Sequence, residues 1–390
     1  MAHFTLSTLA RALGALAVSA AAAFAPSPAA AQDPKKADGP ILIGHYGSLT
    51  GSEATFGQNT SRGIRIAVKE INDAGGIGGR KVELKEYDTQ GKTQEAGSAV
   101  TRLLTSDKVS ALLGEVASSL SITGGKLAQK YSVPMITPSS TNPQVTRIGN
   151  MVFRVCFLDD FQGYAMAKFA YDDLKAKKVA ILFDQAQTYS KGLAEFFSKS
   201  FRELGGKISA EQAFTGGDQD FSAQLTTIRE TNPDAIYVPG YYTDAGNIAL
   251  QVRKLGITAP LLGGDGWDSP KLAEIGGGAI EGSFYTNHYS HQDPRGEVQE
   301  FVRKYTETYG QVPDALAALG YDSARVLFAA MKASPTLEGK DLAAAIAATK
   351  DFQGVAGTIT IDKNRNARKP AVIVEMKGGV PTYRATVQPK

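Results

Sequence analysis

From residue 41 onward the chain alternates short apolar runs with longer stretches whose apolar residues recur every three to four positions. The run 41–46 reads as a strand. Behind it, Ile64, Val68 and Ile71 stand at helical spacing, and the helix stops at Gly75-Gly76, where glycine accepts the left-handed backbone of a helix end. The runs 82–87, 109–113 and 134–137 are further strands, separated by stretches long enough for crossover helices. A second block repeats the rhythm: 179–183, 207–214, 235–239 and 261–263 read as strands, with amphipathic helices around 193–204, 221–230 and 248–255. Residues 294–347 are almost wholly helical in pattern, and strands return near 358–361 and 371–376. This alternation predicts α/β architecture, with two doubly wound parallel sheets covered by helices on both faces.

Before residue 40 the pattern is different. Arg11 precedes an uncharged, small and apolar run (12–24) too short to span a bilayer, followed by Pro26, Pro28 and Ala29-Ala30-Ala31. That is the layout of an export signal, with cleavage expected before Gln32. No Cys follows the run to accept a lipid, so the mature protein is expected to be soluble. Cleavage leaves about 360 of the 390 residues, more than one core usually organises, and two lobes follow. Losing Arg11 takes the formal charge from +3 to +2, with acids and bases interspersed, which argues against a nucleic-acid partner. The single Cys, Cys156, has no internal partner for a disulfide and reads as a small hydrophobe.

Several reaction classes lack their residues. Gly91-Lys92-Thr93 ends like a phosphate loop, but Glu86 stands where its first glycine belongs and would repel phosphate. The glycine clusters at 75–79 and 276–278 follow helices, where a dinucleotide fingerprint would need to lead from strand to helix. No Gly-x-Ser-x-Gly elbow occurs, and His288 and His291 read as solvated loop residues rather than a metal pair. No enzyme, metal or cofactor is expected.

The loops after the strands hold more. Gly114 to Ser119 places small and hydroxyl residues between a strand and a helix, which suits an anion on exposed amides; simple capping by Ser118 or Ser119 is the alternative. The next strand ends in Thr137-Pro138-Ser139-Ser140-Thr141-Asn142. In the second block, Val238-Pro239-Gly240-Tyr241-Tyr242 and Gly263-Gly264-Asp265-Gly266-Trp267 follow strands and present an acid with aromatic rings. Asp265-Gly266 is also a turn dipeptide, and the rings could be core. Hydroxyls and amides on one lobe, with an acid and rings on the other, would hold a zwitterion at the carboxyl ends of the strands.

Ile43-Gly44, Ser48-Leu49-Thr50-Gly51, Phe56-Gly57, the Gly75-Gly76-Ile77 turn and the string from Met135 to Thr141 occur in that order. So do Tyr189-Ser190-Lys191-Gly192, Gly217-Asp218-Gln219-Asp220-Phe221 and Gly263-Gly264-Asp265-Gly266. Over nearly all of the mature chain this ordered set resembles the periplasmic leucine/isoleucine/valine-binding proteins, the receptors of branched-chain amino-acid ABC transporters. The resemblance implies a type I periplasmic binding fold with three crossings between lobes, near 154–158, 285–287 and 352–357. Lobe I would then comprise 40–156 and 287–352, and lobe II 157–286 and 353–390. It further implies that Ser118, Ser139 and Thr141 hold the ligand carboxylate, that Asp265 holds its ammonium, and that Tyr189 and Tyr241 close over it. Phe56 would line the side-chain pocket, with Trp267 beside it. That family commonly has Glu where this chain has Asp265, which weakens any transfer of ligand identity. The implied partners are a free amino acid, aliphatic or branched-chain, and a membrane permease, with the protein a periplasmic monomer. A receptor for another small ligand, such as an amide or an aromatic acid, is the alternative.

Overall fold

The computed structural model describes residues 39–389; the expected signal segment and its cleavage point lie outside the described residues. The first lobe opens with β1 (Ile41–Gly47), α1 (Ala54–Asp73), β2 (Val82–Asp88), α2 (Thr93–Thr105), β3 (Ala111–Leu113), α3 (Ser118–Tyr131), β4 (Met135–Thr137), the single turn α4 (Gln144–Arg147) and β5 (Val152–Arg154). Its five strands are all parallel, in the order β2-β1-β3-β4-β5. Short strands apolar on both faces demand this arrangement. In β3, Leu112 enters one core cluster while Ala111 and Leu113 enter the other.

The chain then crosses into α5 (Asp159–Lys168), which runs on into a π-helical turn over Phe169–Asp173. There follow β6 (Lys178–Asp184), α6 (Thr188–Glu203), β7 (Lys207–Phe214), α7 (Ser222–Glu230), β8 (Ala235–Tyr237), α8 (Tyr242–Lys254), β9 (Leu261–Gly263), α9 (Pro270–Gly276) and β10 (Phe284–Asn287). After β10 come α10 (Gly296–Tyr309), α11 (Ala315–Ala333) and α12 (Gly339–Ala347), then the hairpin β11 (Phe352–Gly354) and β12 (Gly357–Ile359), and finally β13 (Ala371–Lys377) and β14 (Val380–Val387). The second sheet runs β14-β13-β10-β9-β8-β6-β7. Within it, β7-β6-β8-β9-β10 repeats the strand order of the first sheet, and β13 and β14 add an antiparallel edge.

α10, α11 and α12 return to the first lobe. α11 approaches α1 so closely that a Cβ on Gly63 would lie 2.0 Å from the Ala317 carbonyl oxygen, and one on Gly320 would lie 2.4 Å from that of Thr60. Glycine on each helix permits this contact. The hairpin stays with that lobe too, because Val355, Ala356, Ile359, Ile361 and Ala367 bury in the same cluster as α11. The third crossing therefore lies between Ala367 and Ala371, not at 352–357, and residues 353–367 belong with the first lobe. An antiparallel hairpin at a helix end looks like a crossing strand in sequence, and only its packing separates the two. Among the described residues no helix is long and apolar enough to cross a membrane.

Candidate functional site

In both sheets the strand order reverses beside the first strand, at β1/β3 and at β6/β8, and the loops leaving the carboxyl ends there open a crevice. The two crevices face each other. Thr55 and Ser269 hydroxyls meet at 2.9 Å, Thr243 Oγ1 donates to the Ser52 carbonyl at 2.6 Å, and Asn142 Nδ2 donates to the Thr188 carbonyl at 3.1 Å. Ser119 is spent on the same closure, since its hydroxyl accepts the Thr188 N–H at 3.2 Å and reaches Gln187 at 3.2 Å.

On the first lobe the two hydroxyl loops are joined through one carbonyl. Glu115 O accepts from Thr137 Oγ1 at 2.7 Å, Ser140 Oγ at 3.0 Å and Ser121 Oγ at 3.0 Å. Ser118 Oγ accepts the Asn142 N–H at 3.3 Å. Beneath the second loop, the fully buried Arg154 guanidinium donates to the Ser140 carbonyl, to the Asn142 carbonyl at 2.8 Å and to Asn366 Oδ1 at 2.8 Å. With the loop's carbonyls fixed from below, Ser139 and Thr141 are held above, and both of their hydroxyl oxygens are buried without a hydrogen-bond partner. Buried polar groups are seldom left so, and two side by side mark a place built for something polar.

On the second lobe Tyr189 Oη donates to Asp265 Oδ1 at 2.9 Å and accepts the Gly266 N–H at 3.1 Å. The Tyr189 ring stacks on Tyr241, centroids 5.3 Å apart and planes within 8°, and Tyr241 meets the edge of Phe56 from the first lobe at 5.4 Å. Tyr241 Oη is buried and unpartnered. Thus Phe56, Tyr189, Tyr241 and Asp265 form one connected group, reached from the other side by the Ser139 and Thr141 loop. Trp267 stands apart. Its indole N–H donates to the Val238 carbonyl at 3.0 Å and its ring fills the core against Tyr285 and the backbone of Gly263, so the expected pocket role gives way to packing.

Three further residues join the group that sequence reasoning did not single out. Asp159, at the start of α5, gives its N–H to the Thr141 carbonyl at 3.1 Å, and its Oδ2 is buried without a partner. Burial raises its carboxyl well above the usual range and the Asp265 charge adds to this, with the Arg154 guanidinium opposing in part. Gln162 ties the acids together: Nε2 donates to Asp159 Oδ1 at 3.2 Å, while Oε1 accepts the Asp265 N–H at 2.8 Å and the Thr286 hydroxyl at 2.6 Å. His288, read from sequence as a solvated loop residue, is buried, stacks on Phe157 at 3.8 Å and contacts Asp265 Oδ2 through Nε2 at 2.9 Å. Burial lowers its pKa more than Asp265 raises it, so a neutral ring donates Nε2–H to the carboxylate. Asp159 and Gln162 sit on the helix beyond the first crossing, where the strand-end signal that exposed the other loops is absent, and His288 directly follows β10 at the second. The one legible trace was the string Asp159-Asp160-Phe161-Gln162, polar residues in an otherwise apolar passage.

The arrangement offers hydrogen bonds to a carboxylate from one side and carboxylates to a cation from the other, with aromatic rings between. Comparisons agree with this reading of the fold. The model of a family described as "periplasmic binding protein" matches residues 40–380. A leucine-binding protein LivK from Thermotoga maritima is 42% identical with a TM-score of 0.87, covering 90% of this chain and 99% of that one. A branched-chain amino acid transporter substrate-binding protein LivJ from Streptococcus pneumoniae, solved with isoleucine, is 35% identical with a TM-score of 0.84, covering 90% and 100%. Among curated proteins, a Leu/Ile/Val-binding protein homolog 2 from Brucella abortus is 33% identical over 87% of this chain and 91% of its own length. The chain belongs to the periplasmic binding protein family, in its branch of leucine/isoleucine/valine-binding proteins.

Proposed function

We propose that this chain is exported to the periplasm, captures a free α-amino acid with an uncharged side chain between its lobes, and presents it to the permease of an ABC transporter. Branched-chain amino acids are the first candidates, as the names of the similar proteins suggest. The observation that carries the reading is a set of buried, unpartnered polar atoms on loops of both lobes: Ser139 Oγ and Thr141 Oγ1 on the first, and Tyr241 Oη and Asp159 Oδ2, the latter tied to Asp265 through Gln162, on the second. A zwitterion satisfies them together, its carboxylate on the hydroxyl loops with Ser118 and its ammonium between Asp159 and Asp265. Tyr189, Tyr241 and Phe56 then shut the cleft over the ligand.

The test is a thermal-shift panel of the twenty amino acids together with the carboxamide of the best binder, because a ligand that binds only folded protein raises its melting temperature. One or a few uncharged amino acids should raise it, and the carboxamide should not. Equal stabilisation by acid and carboxamide would favour the amide-receptor alternative.

A further inference from the structure

Both oxygens of Asp265 are held by the protein. Tyr189 gives its hydroxyl to Oδ1 at 2.9 Å, and on the other side His288 Nε2 stands 2.9 Å from Oδ2. His288 follows β10 at the second passage between the lobes, and its side chain is sealed from solvent. Its ring lies on Phe157 of the first passage, centroids 3.8 Å apart and planes within 25°. One tautomer suits this place. A carboxylate has only acceptors to offer, so the ring's hydrogen belongs on Nε2, while Nδ1 is buried without a partner.

That bare Nδ1 decides what a second proton would do. An imidazolium donates from both nitrogens, so protonation would leave a buried N–H unsatisfied and set a positive charge against Asp265. Burial holds the ring below its ordinary 6.5, Asp265 pulls the other way, and the Lys369 ammonium on the third passage adds to the lowering. The remaining titratable groups around Asp265 are Asp159, Tyr189 and Cys156. Burial raises all three, the Cys156 thiol to about 12, so the thiol and the phenol stay neutral. A ligand ammonium and an imidazolium would therefore compete for the same carboxylate.

We propose that His288 is a positioning residue for the ammonium site: its neutral ring steadies Asp265 for the ligand, and in acid its charged ring takes the ammonium's place beside that carboxylate. This deepens the amino-acid reading and rests on it. The direction follows from the repulsion of two cations. A bound ammonium disfavours the imidazolium, so affinity is full while the ring of the ligand-free protein is neutral. It falls as pH drops and that ring charges, by at most about tenfold per pH unit for one proton. Asp159 moves affinity the same way, because an ammonium favours its ionised form, and only a variant of His288 separates the two.

Calorimetric titration with the best amino acid, from pH 7.5 down to pH 4, compares the parent with His288→Leu and His288→Gln. At pH 7.5 His288→Leu, which leaves Oδ2 without its donor, should bind about tenfold or more weakly than the parent. The glutamine amide can donate to Asp265 but takes up no proton, so His288→Gln should recover most of that loss. Towards acid the parent should lose affinity more steeply than His288→Gln, their ratio moving in favour of the variant by about threefold or more. His288→Asn serves if the glutamine variant does not fold. Parallel pH profiles for parent and His288→Gln, or a glutamine variant no tighter than the leucine one at pH 7.5, would overturn the assignment and leave the amino-acid reading standing. Failure of every amino acid to bind the parent would overturn both.

Discussion

Loss of water raises Glu115 and Asp159 alike, but their surroundings give the two carboxyls different work. Asp159 has Asp265 as its neighbour and an unpartnered oxygen, so an incoming ammonium would relieve the pair. Glu115 has only hydroxyl and amide donors beside it, with Glu53 as the nearby like charge. Its ordinary value of 4.5 applies to the unfolded chain, and about 8 to the folded one. The folded state therefore holds a proton that unfolding releases. Its contribution to stability is complete below the unfolded value and is lost progressively as pH rises towards the folded value, at no more than about 1.4 kcal/mol per pH unit. Glu115→Gln cannot ionise. Urea unfolding at pH 5.5 and pH 8 should show the variant gaining on the parent at the higher pH, while Asp244, Asp314 and Lys369 titrate in both proteins and cancel in the difference. Parallel behaviour at the two pH values would mean that the buried carboxyl is not neutral. At this scale the sequence made the strand-end residues Ser139, Thr141, Tyr241 and Asp265 visible, because a loop after a strand has a local signature. Asp159 and Gln162 were passed over and His288 was read as solvated, because their burial depends on how two crossings pass each other, which no local pattern encodes.

Among the elements, α11 shows how a helix end can serve two lobes. Asp314 caps it, accepting the Ala317 N–H at 2.9 Å. The Ala315 N–H is satisfied from the other lobe, by Asp268 Oδ2 at 2.7 Å, while Asp268 Oδ1 accepts the Tyr285 hydroxyl at 2.9 Å. Burial and the Asp268 charge push Asp314 up to about 7, so the helix end draws Asp268 in while its neighbour resists. This contact can exist only when the lobes meet along that edge. Removing it with Asp268→Ala takes away one charge-assisted bond, about 1.5–3 kcal/mol, and should weaken ligand binding by roughly tenfold or more, chiefly by faster release. Stopped-flow dissociation of the best ligand checks this; an unaltered release rate would show that the edge contact does not contribute to closure. Element existence was largely readable from periodicity, as the strand 207–214 and the helices 294–347 illustrate. The ends were less so. The strand expected at 109–113 begins at Ala111, and the helix expected at 248–255 begins at Tyr242, because aromatic and polar residues at a helix start carry no apolar rhythm.

On the scale of the whole molecule, two sheets of the same strand order meet through their carboxyl ends, and three chain passages join them. That plan was legible because βα repetition allows few topologies. The position of the third passage was not, since it is set by where a hairpin packs. A hinged pair of lobes binds by population shift: the ligand favours the shut form by as much as its contacts with both lobes exceed its contacts with one. Phe56 is a direct measure of this, because its ring belongs to the first lobe and its edge-to-face partners Tyr241 and Tyr242 belong to the second, with centroids at 5.4 Å and 5.1 Å. Such a pair contributes about 0.5–1.5 kcal/mol beyond area, present only when the cleft is shut. Small-angle scattering of the protein should show its radius of gyration fall on saturation with the best amino acid. Phe56→Leu should bind roughly two- to tenfold more weakly and reach the same compact form only at correspondingly higher ligand concentration. Unchanged scattering on saturation would rule out hinge closure as the response to ligand. Normal affinity in the variant would instead locate the closing force at the α11 edge and the hydrogen bonds of Thr55, Asn142 and Ser119.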